Sequence, residues 1–105
     1  MEPVILSGAG QDIQSVYAGL LEHSESRANL FLETLDRTLA TLLKQPGMAR
    51  LFPGTNLRSI TPNPFPYRLF CKIEGMRLMV GAILDTRQDP AALIKQLRQR
   101  TSGAE

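Results

Sequence analysis

The sequence contains one cysteine, one histidine and no tryptophan, and only 6% of its 105 residues are aromatic. One cysteine cannot form an intramolecular disulfide, so we expect a reduced, cytoplasmic environment. One histidine cannot build a metal site alone, and we predict neither a metal nor a cofactor. The apolar runs are only a few residues long and the first residues carry no basic segment, so the sequence predicts neither a membrane span nor a signal peptide.

The apolar content is 43% of the residues, which is enough for one hydrophobic core. A chain of this length predicts a single domain spanning residues 1–105. The net charge is +2, but residues 1–56 carry −2 and residues 57–105 carry +4. The basic second half is typical of a protein that binds a polyanion or an acidic partner.

Helical spacing dominates the first half of the sequence. Residues 4–6 predict a short strand and residues 7–10 a turn, after which a helix begins at Asp12. Ser24 is a good N-cap for a second helix, which we expect to end at Gln45 because a proline and a glycine follow. The apolar positions of the two predicted helices are Ile13, Val16, Tyr17 and Leu20, followed by Ala28, Phe31, Leu32, Leu35, Leu39 and Leu42.

The second half changes to the period of two that is typical of strands. Strands are predicted over residues 57–61, 67–74 and 76–84, and Gly81 indicates a bulge or a close packing contact. Pro90 begins a final helix. The predicted order, β-α-α-β-β-β-α, is that of a small α+β domain. We expect a helical hairpin packed on a mostly antiparallel sheet, followed by a short C-terminal helix and a frayed tail over residues 101–105.

None of the polar motifs predicts a catalytic centre. Gly8 and Gly10 follow a strand as in dinucleotide-binding loops, but Ile13 stands where the third glycine is needed, so they are interpreted as a turn. His23 lies in the predicted turn between the helices, and we expect it to be solvated. Cys71 alternates with apolar residues, which indicates a buried, unreactive thiol.

Charged residues at the strand ends are better candidates for binding. Asp89 is interpreted as a helix cap, whereas Asp85 and Arg87 lie at the end of a central strand, where side chains reach the sheet rim. Arginines on three adjacent predicted strands can grip phosphates or carboxylates if they converge, and a solvated strand face is the alternative. These arginines are Arg58, Arg68, Arg77 and Arg87, and Arg98 lies on the polar side of the terminal helix.

Three segments follow one another in the second half: Leu57-Arg58, Phe65-Pro66-Tyr67-Arg68-Leu69-Phe70 and Ile83-Leu84-Asp85-Thr86-Arg87-Gln88-Asp89-Pro90. In this order they resemble the RelE/ParE toxin superfamily of plasmid-stabilisation proteins, and its ParE branch in particular. The first half agrees at Leu6-Ser7, Asp12-Ile13, Val16-Tyr17, Ala28, Phe31 and Pro46-Gly47-Met48, so the resemblance covers roughly residues 4–100. Asp85 replaces a histidine that is frequent in the family, and Gln88 replaces the second arginine of a pair.

The resemblance implies the toxin of a type II toxin–antitoxin pair, in a hetero-oligomer with a small antitoxin that has a partly disordered acidic segment. ParE-like members inhibit DNA gyrase without being enzymes, whereas RelE-like members cut messenger RNA in the ribosome. After Pro90 the chain has no Tyr, His or Glu before Glu105, and Tyr17 and Tyr67 are interpreted as core residues. Without proton-transfer groups, a gyrase inhibitor is favoured, and a ribosome-dependent endoribonuclease is the alternative. The predicted partner- or target-binding residues are Arg58, Arg68, Arg87 and Arg98, with no catalytic residue.

Overall fold

A computed structural model describes residues 2–102 of the chain as three helices and a five-stranded sheet. The order β-α-α-β-β-β-β-α confirms the predicted α+β class and adds one strand of two residues, which is too short for its sequence to show any period. The elements are β1 (Glu2–Ile5), α1 (Ser7–Leu21), α2 (Glu25–Lys44), a 3-10 turn (Pro46–Met48), β2 (Arg50–Leu51), β3 (Arg58–Ile60), β4 (Tyr67–Glu74), β5 (Arg77–Asp85) and α3 (Pro90–Ser102).

The strands lie in the order β1-β5-β4-β3-β2, so the N-terminal strand pairs with the last one. That pair is parallel and ends where Ile5 lies opposite Val80, while all the other pairs are antiparallel. The mostly antiparallel sheet is therefore confirmed. β4 and β5 form a hairpin that closes at Gly75, whose φ of +60° is a conformation that glycine adopts without strain.

The second helix has the predicted bounds. The Ser24 hydroxyl accepts a hydrogen bond from the Arg27 backbone N–H at 3.2 Å, and the helix ends at Lys44 with Gln45 as C-cap. The first helix begins at Ser7, five residues before the predicted start at Asp12. The glycines on either side of Ala9 suggested a turn, but Ala9 is fully buried against the sheet, and this tertiary contact outweighs the low helix propensity of glycine.

Both faces of the sheet are covered. On the face of the α1–α2 hairpin, Leu35 and Leu42 pack against Leu69, Cys71 and Val80. On the opposite face, α3 places two leucines over the strands. The buried residues of this second cluster are Phe70, Ala82, Leu84, Leu93 and Leu97, with Phe52 and Leu57 packed at its edge.

The predicted irregularity at Gly81 is a bulge, and it explains how β5 serves both faces. Phe70 lies opposite Ala82 and the next residue of β4 lies opposite Val80, so Gly81 is the extra residue. An extra residue reverses the alternation of side chains. Val80 therefore packs toward the helical hairpin, whereas Ala82 packs under α3.

The proline-broken connector before β4 carries a buried aromatic side chain. Phe65 is 1% exposed, its ring meets the Phe31 ring edge-on at 5.4 Å, and the Arg27 guanidinium lies 4.8 Å above it. Within residues 2–102, no helix combines the length and apolar character needed to cross a membrane. The predicted frayed tail is α-helical at residues 101–102, and residues 103–105 lie outside the described part of the chain.

Candidate interaction surface

Asp85 and Arg87 form an ion pair at the end of β5. The Arg87 Nε and Nη2 groups donate to the two carboxylate oxygens at 2.9 and 2.6 Å, and the Arg87 backbone N–H donates to Oδ1 at 2.8 Å. These hydrogen bonds hold the pKa of Asp85 below its usual value and raise the pKa of Arg87. The Arg87 side chain remains 71% exposed, so a partner can reach its outer side.

Arg68 lies on the α3 face of the sheet, two residues before Phe70. Its Nη1 group donates to the Ser59 hydroxyl at 3.2 Å, and the guanidinium lies 5.4 Å from the centre of the Phe52 ring. Its Nε group is buried and has no hydrogen-bond partner among the described residues. Arg68 therefore packs at the rim of this face with its buried Nε–H left unpaired.

Arg58 lies on the other face. It is directly opposite Cys71 in the β3–β4 ladder, and its Nη1 group donates to the Ala49 carbonyl oxygen at 2.8 Å. Burial raises the pKa of the Cys71 thiol, and the nearby Arg58 charge opposes this rise. Cys71 is 1% exposed, which confirms the prediction of a buried thiol.

The arginines predicted from the sequence do not form one cluster. Arg58 and Arg68 are on opposite faces of the sheet, Arg77 is at the hairpin end of β5, and Arg87 follows its other end. Arg98 is exposed on α3. The arginines therefore do not form a single phosphate-binding site but lie at separate positions around the sheet.

A groove of about 510 Å³ lies between the beginning of α1 and the end of α3, and we refer to it as the α1–α3 groove. Its size is in the range of binding sites in proteins. Leu57, Met79 and Leu97 supply apolar lining. Lys72 and Glu74 also line the groove and pair with each other at 3.2 Å.

The ion pair between Asp12 and Arg100, which no sequence pattern predicted, lies beside this groove. Two guanidinium nitrogens of Arg100 donate to the two Asp12 carboxylate oxygens at 2.7 and 2.9 Å. Asp12 was predicted to lie in the first turn of its helix, but it lies within α1 and its side chain is 16% exposed. One signal was available: Asp12 follows Ala9 by three residues and precedes Val16 by four, so it lies next to the buried stripe and needs a partner.

The other predicted polar residues have structural positions. His23 is exposed in the turn between the helices, as predicted. Tyr17 is only partly buried, in contrast to its prediction as a core residue, because its hydroxyl donates to Asn29 at 3.3 Å near the surface. The Asp89 carbonyl oxygen accepts from the Leu93 N–H at the start of α3. In the part of the chain that the structure describes, no three His, Cys, Asp or Glu side chains are grouped to hold a metal ion.

Two comparisons with known proteins match this chain. The family model described as the ParE toxin of type II toxin–antitoxin systems, parDE, matches residues 5–90. A solved structure described as the chromosomal ParDE TA system from P. aeruginosa superimposes with a TM-score of 0.71 at 14% sequence identity, covering 83% of this chain and 97% of that chain. At this identity the superposition shows a shared fold. No curated protein sequence matches the chain.

The family match begins in β1, ends at the first residue of α3, and includes the strands that carry Arg58 and Arg68 as well as the Asp85–Arg87 pair. The resemblance to the RelE/ParE superfamily is therefore confirmed for most of the chain. The chain belongs to the family of ParE toxins of type II toxin–antitoxin systems.

Proposed function

We propose that this toxin inhibits DNA gyrase and that a cognate antitoxin neutralises it by binding its surface. The family match over residues 5–90 carries this proposal, because ParE toxins act as inhibitors rather than as enzymes. Membership of a toxin–antitoxin system also implies an antitoxin partner. A module that blocks a large enzyme by binding needs an exposed surface and no reactive group.

The bonding of the arginines supports inhibition over RNA cleavage. Cleavage needs basic groups that hold the scissile phosphate and a neighbouring group that transfers a proton. Arg87 directs two guanidinium nitrogens to Asp85, and Arg58 donates to a backbone carbonyl. Asp85 is itself held as a carboxylate by Arg87, because their hydrogen bonds lower its pKa. A carboxylate at this position repels phosphate.

The gyrase proposal is tested with purified full-length toxin, gyrase, ATP and relaxed plasmid. We expect a dose-dependent loss of supercoiling that the candidate antitoxin reverses when it is added in equal amount. In parallel, primer extension on ribosome-bound message reports the alternative activity. Codon-phased cuts together with normal supercoiling would overturn the proposal in favour of an endoribonuclease.

One variant pair tests whether α3 contributes to the contact. Arg98 and Lys95 are both exposed cations on the same helix, separated by three residues. If Arg98 touches the target, Arg98→Ala weakens inhibition, while Lys95→Ala supplies the matched control for loss of one positive charge. Equal effects of the two substitutions would show that net charge, rather than a defined contact, matters at this surface.

For the antitoxin, we propose a flexible segment whose apolar side chains enter the α1–α3 groove and whose carboxylates meet the exposed arginines. A chain that folds on binding can cover separated positions such as Arg87 and Arg98. Charges at a rim mainly set the association rate, whereas apolar anchors set the dissociation rate. Arg87→Ala and Arg98→Ala should therefore slow association at low salt, and Leu57→Ala should speed dissociation, in surface plasmon resonance.

The remaining two predicted binding residues need a stability control. Arg58 and Arg68 hold Ala49 and Ser59 through hydrogen bonds, so their replacement removes intramolecular contacts as well as charge. A thermal melt of each variant separates the two effects. If Arg58→Ala or Arg68→Ala slows association while the melting temperature stays unchanged, that arginine contacts the antitoxin directly.

A further inference from the structure

Two buried leucines and an ion pair attach α3 to the rest of the domain. Residues 87–92, which lead into the helix and form its first turn, are all exposed. Leu93 and Leu97 are the two buried apolar residues of the helix, at 3% and 4% exposure. Beyond them, Arg100 reaches across to α1 and forms the pair with Asp12. The Asp12–Arg100 pair therefore links the C-terminal part of α3 to α1.

This pair also completes the edge of β5. β1 ends opposite Val80, so among residues 2–102 no strand lies beside the outer edge of β5 beyond that residue. There the Ile83 backbone N–H donates to Asp12 Oδ2 at 2.9 Å, and the Gly81 carbonyl oxygen accepts from Arg100 Nη1 at 3.3 Å. Beside the bulge, the two side chains thus make the hydrogen bonds to the β5 backbone that a neighbouring strand would otherwise make. Backbone groups that lost these partners would be unsatisfied.

The guanidinium lies close to the backbone of α1 at Gly8. A Cβ atom at Gly8 would lie 3.2 Å from Arg100 Nη1, whereas a Cβ atom at Gly10 would meet nothing within 4 Å. The Arg100 side chain is about one-third exposed and that of Asp12 less so. The hydrogen bonds with Asp12 also raise the pKa of Arg100. The contact is thus charge-assisted, bidentate and partly shielded from water.

We propose that the Asp12–Arg100 pair is a latch that closes α3 onto the sheet, and that its release lets α3 open as a unit while the hairpin and β4 stay folded. Leu97 and Arg100 line the α1–α3 groove, so the closed latch defines that wall of the groove. Opening removes this wall and exposes the buried face formed by Phe70, Ala82 and Leu84. The toxin therefore has two surfaces to present, a narrow groove or a wide apolar face.

Native-state hydrogen exchange of the full chain tests the latch, because it separates local from global opening. Arg100→Met and Asp12→Asn should each speed exchange of the α3 amides on the order of tenfold, which corresponds to loss of a partly buried pair. The buried amides of α2 and β4 should keep their rates. Asp85→Asn is the control, because it removes the carboxylate of the more exposed Asp85–Arg87 pair, and Asp85 follows Ile83 by two residues on the same strand.

A double variant and a glycine pair make the test specific. Asp12→Asn with Arg100→Met should open α3 no more than either change alone, because both remove the same contact. Gly8→Ala should speed α3 exchange by displacing the guanidinium, while Gly10→Ala should not. Equal acceleration of all amides, additive effects of the two single variants, or no acceleration of α3 would each overturn the latch.

Discussion

Replacing Leu35 with alanine tests whether the helical hairpin covers the sheet as described. Leu35 is 5% exposed and lies in the cluster with Leu42 and Leu69. The substitution removes three carbon atoms, which at about 0.8 kcal/mol for each buried methylene gives about 2.4 kcal/mol. The cavity left behind adds to this loss, so we expect the free energy of unfolding to fall by about 3–4 kcal/mol.

Leu32 provides the matched control, since it lies on the same helix three residues earlier and is 37% exposed. Its spacing predicts a place on the apolar stripe with Leu35, but Leu32 is exposed in the structure. Leu32→Ala should cost about 1 kcal/mol or less. Both variants make the same change in helix propensity, so the difference between them reports burial alone.

Urea unfolding followed by far-ultraviolet circular dichroism measures both losses, provided that the urea dependence of each variant matches the parent. For a domain of this size, about 3 kcal/mol corresponds to a fall of at least about 12 °C in Tm. Equal losses for Leu35→Ala and Leu32→Ala would show that the hairpin does not bury the face described. A loss below about 1 kcal/mol for Leu35→Ala would do the same.

Three further experiments test single features of the structure. Arg87→Met should raise the pKa of Asp85 in an NMR titration, and an unchanged pKa would refute the pairing. In the parent protein the pair stabilises the fold at pH values above the pKa of the unfolded carboxyl group. This stabilisation is lost as the pH falls through the lowered pKa of the native state. Gly54→Ala should destabilise more than Gly75→Ala, because both glycines have positive φ but a Cβ at Gly54 would lie 3.0 Å from an α3 side chain; thermal melts in the reverse order would contradict that packing. Cys71 should resist a thiol reagent until urea unfolds the chain, because burial raises its pKa, and rapid labelling of native protein would contradict this.

The sequence predicted the elements whose signals are local. α2 has a serine cap at one end and a proline and glycine at the other, so both bounds follow from neighbouring residues. β4 alternates over eight residues, and its predicted bounds, 67–74, match the structure. The start of α1 and the strand β2 were missed because each depends on a distant partner, Ala9 on the sheet and Arg50 on Ser59.

The candidate surface was less predictable than the fold, for the same reason. Alternation placed Arg68 correctly on the face opposite Cys71, but it did not say that this face is covered by α3. The side of the sheet on which Arg58 lies depends on the register of β3 with β4. The connector between the two strands sets this register, so the alternation within β3 alone does not reveal it. The Asp12–Arg100 pair joins residues 88 apart in sequence, beyond the reach of any periodic pattern.

The arginines of this chain therefore have to be interpreted through their partners and not through their number. A basic half with a net charge of +4 suggests a surface ready for a polyanion. In the structure, Arg87 and Arg100 each pair with a carboxylate, and Arg58 and Arg68 hold a backbone carbonyl and a serine hydroxyl. These bonds occupy only some of the five donors of each guanidinium, but they fix its orientation, and the carboxylates beside Arg87 and Arg100 repel a phosphate. A protein partner fits these arginines better than a phosphate does. It can contact the exposed side of Arg87 and fill the groove beside α3 while every internal bond stays in place.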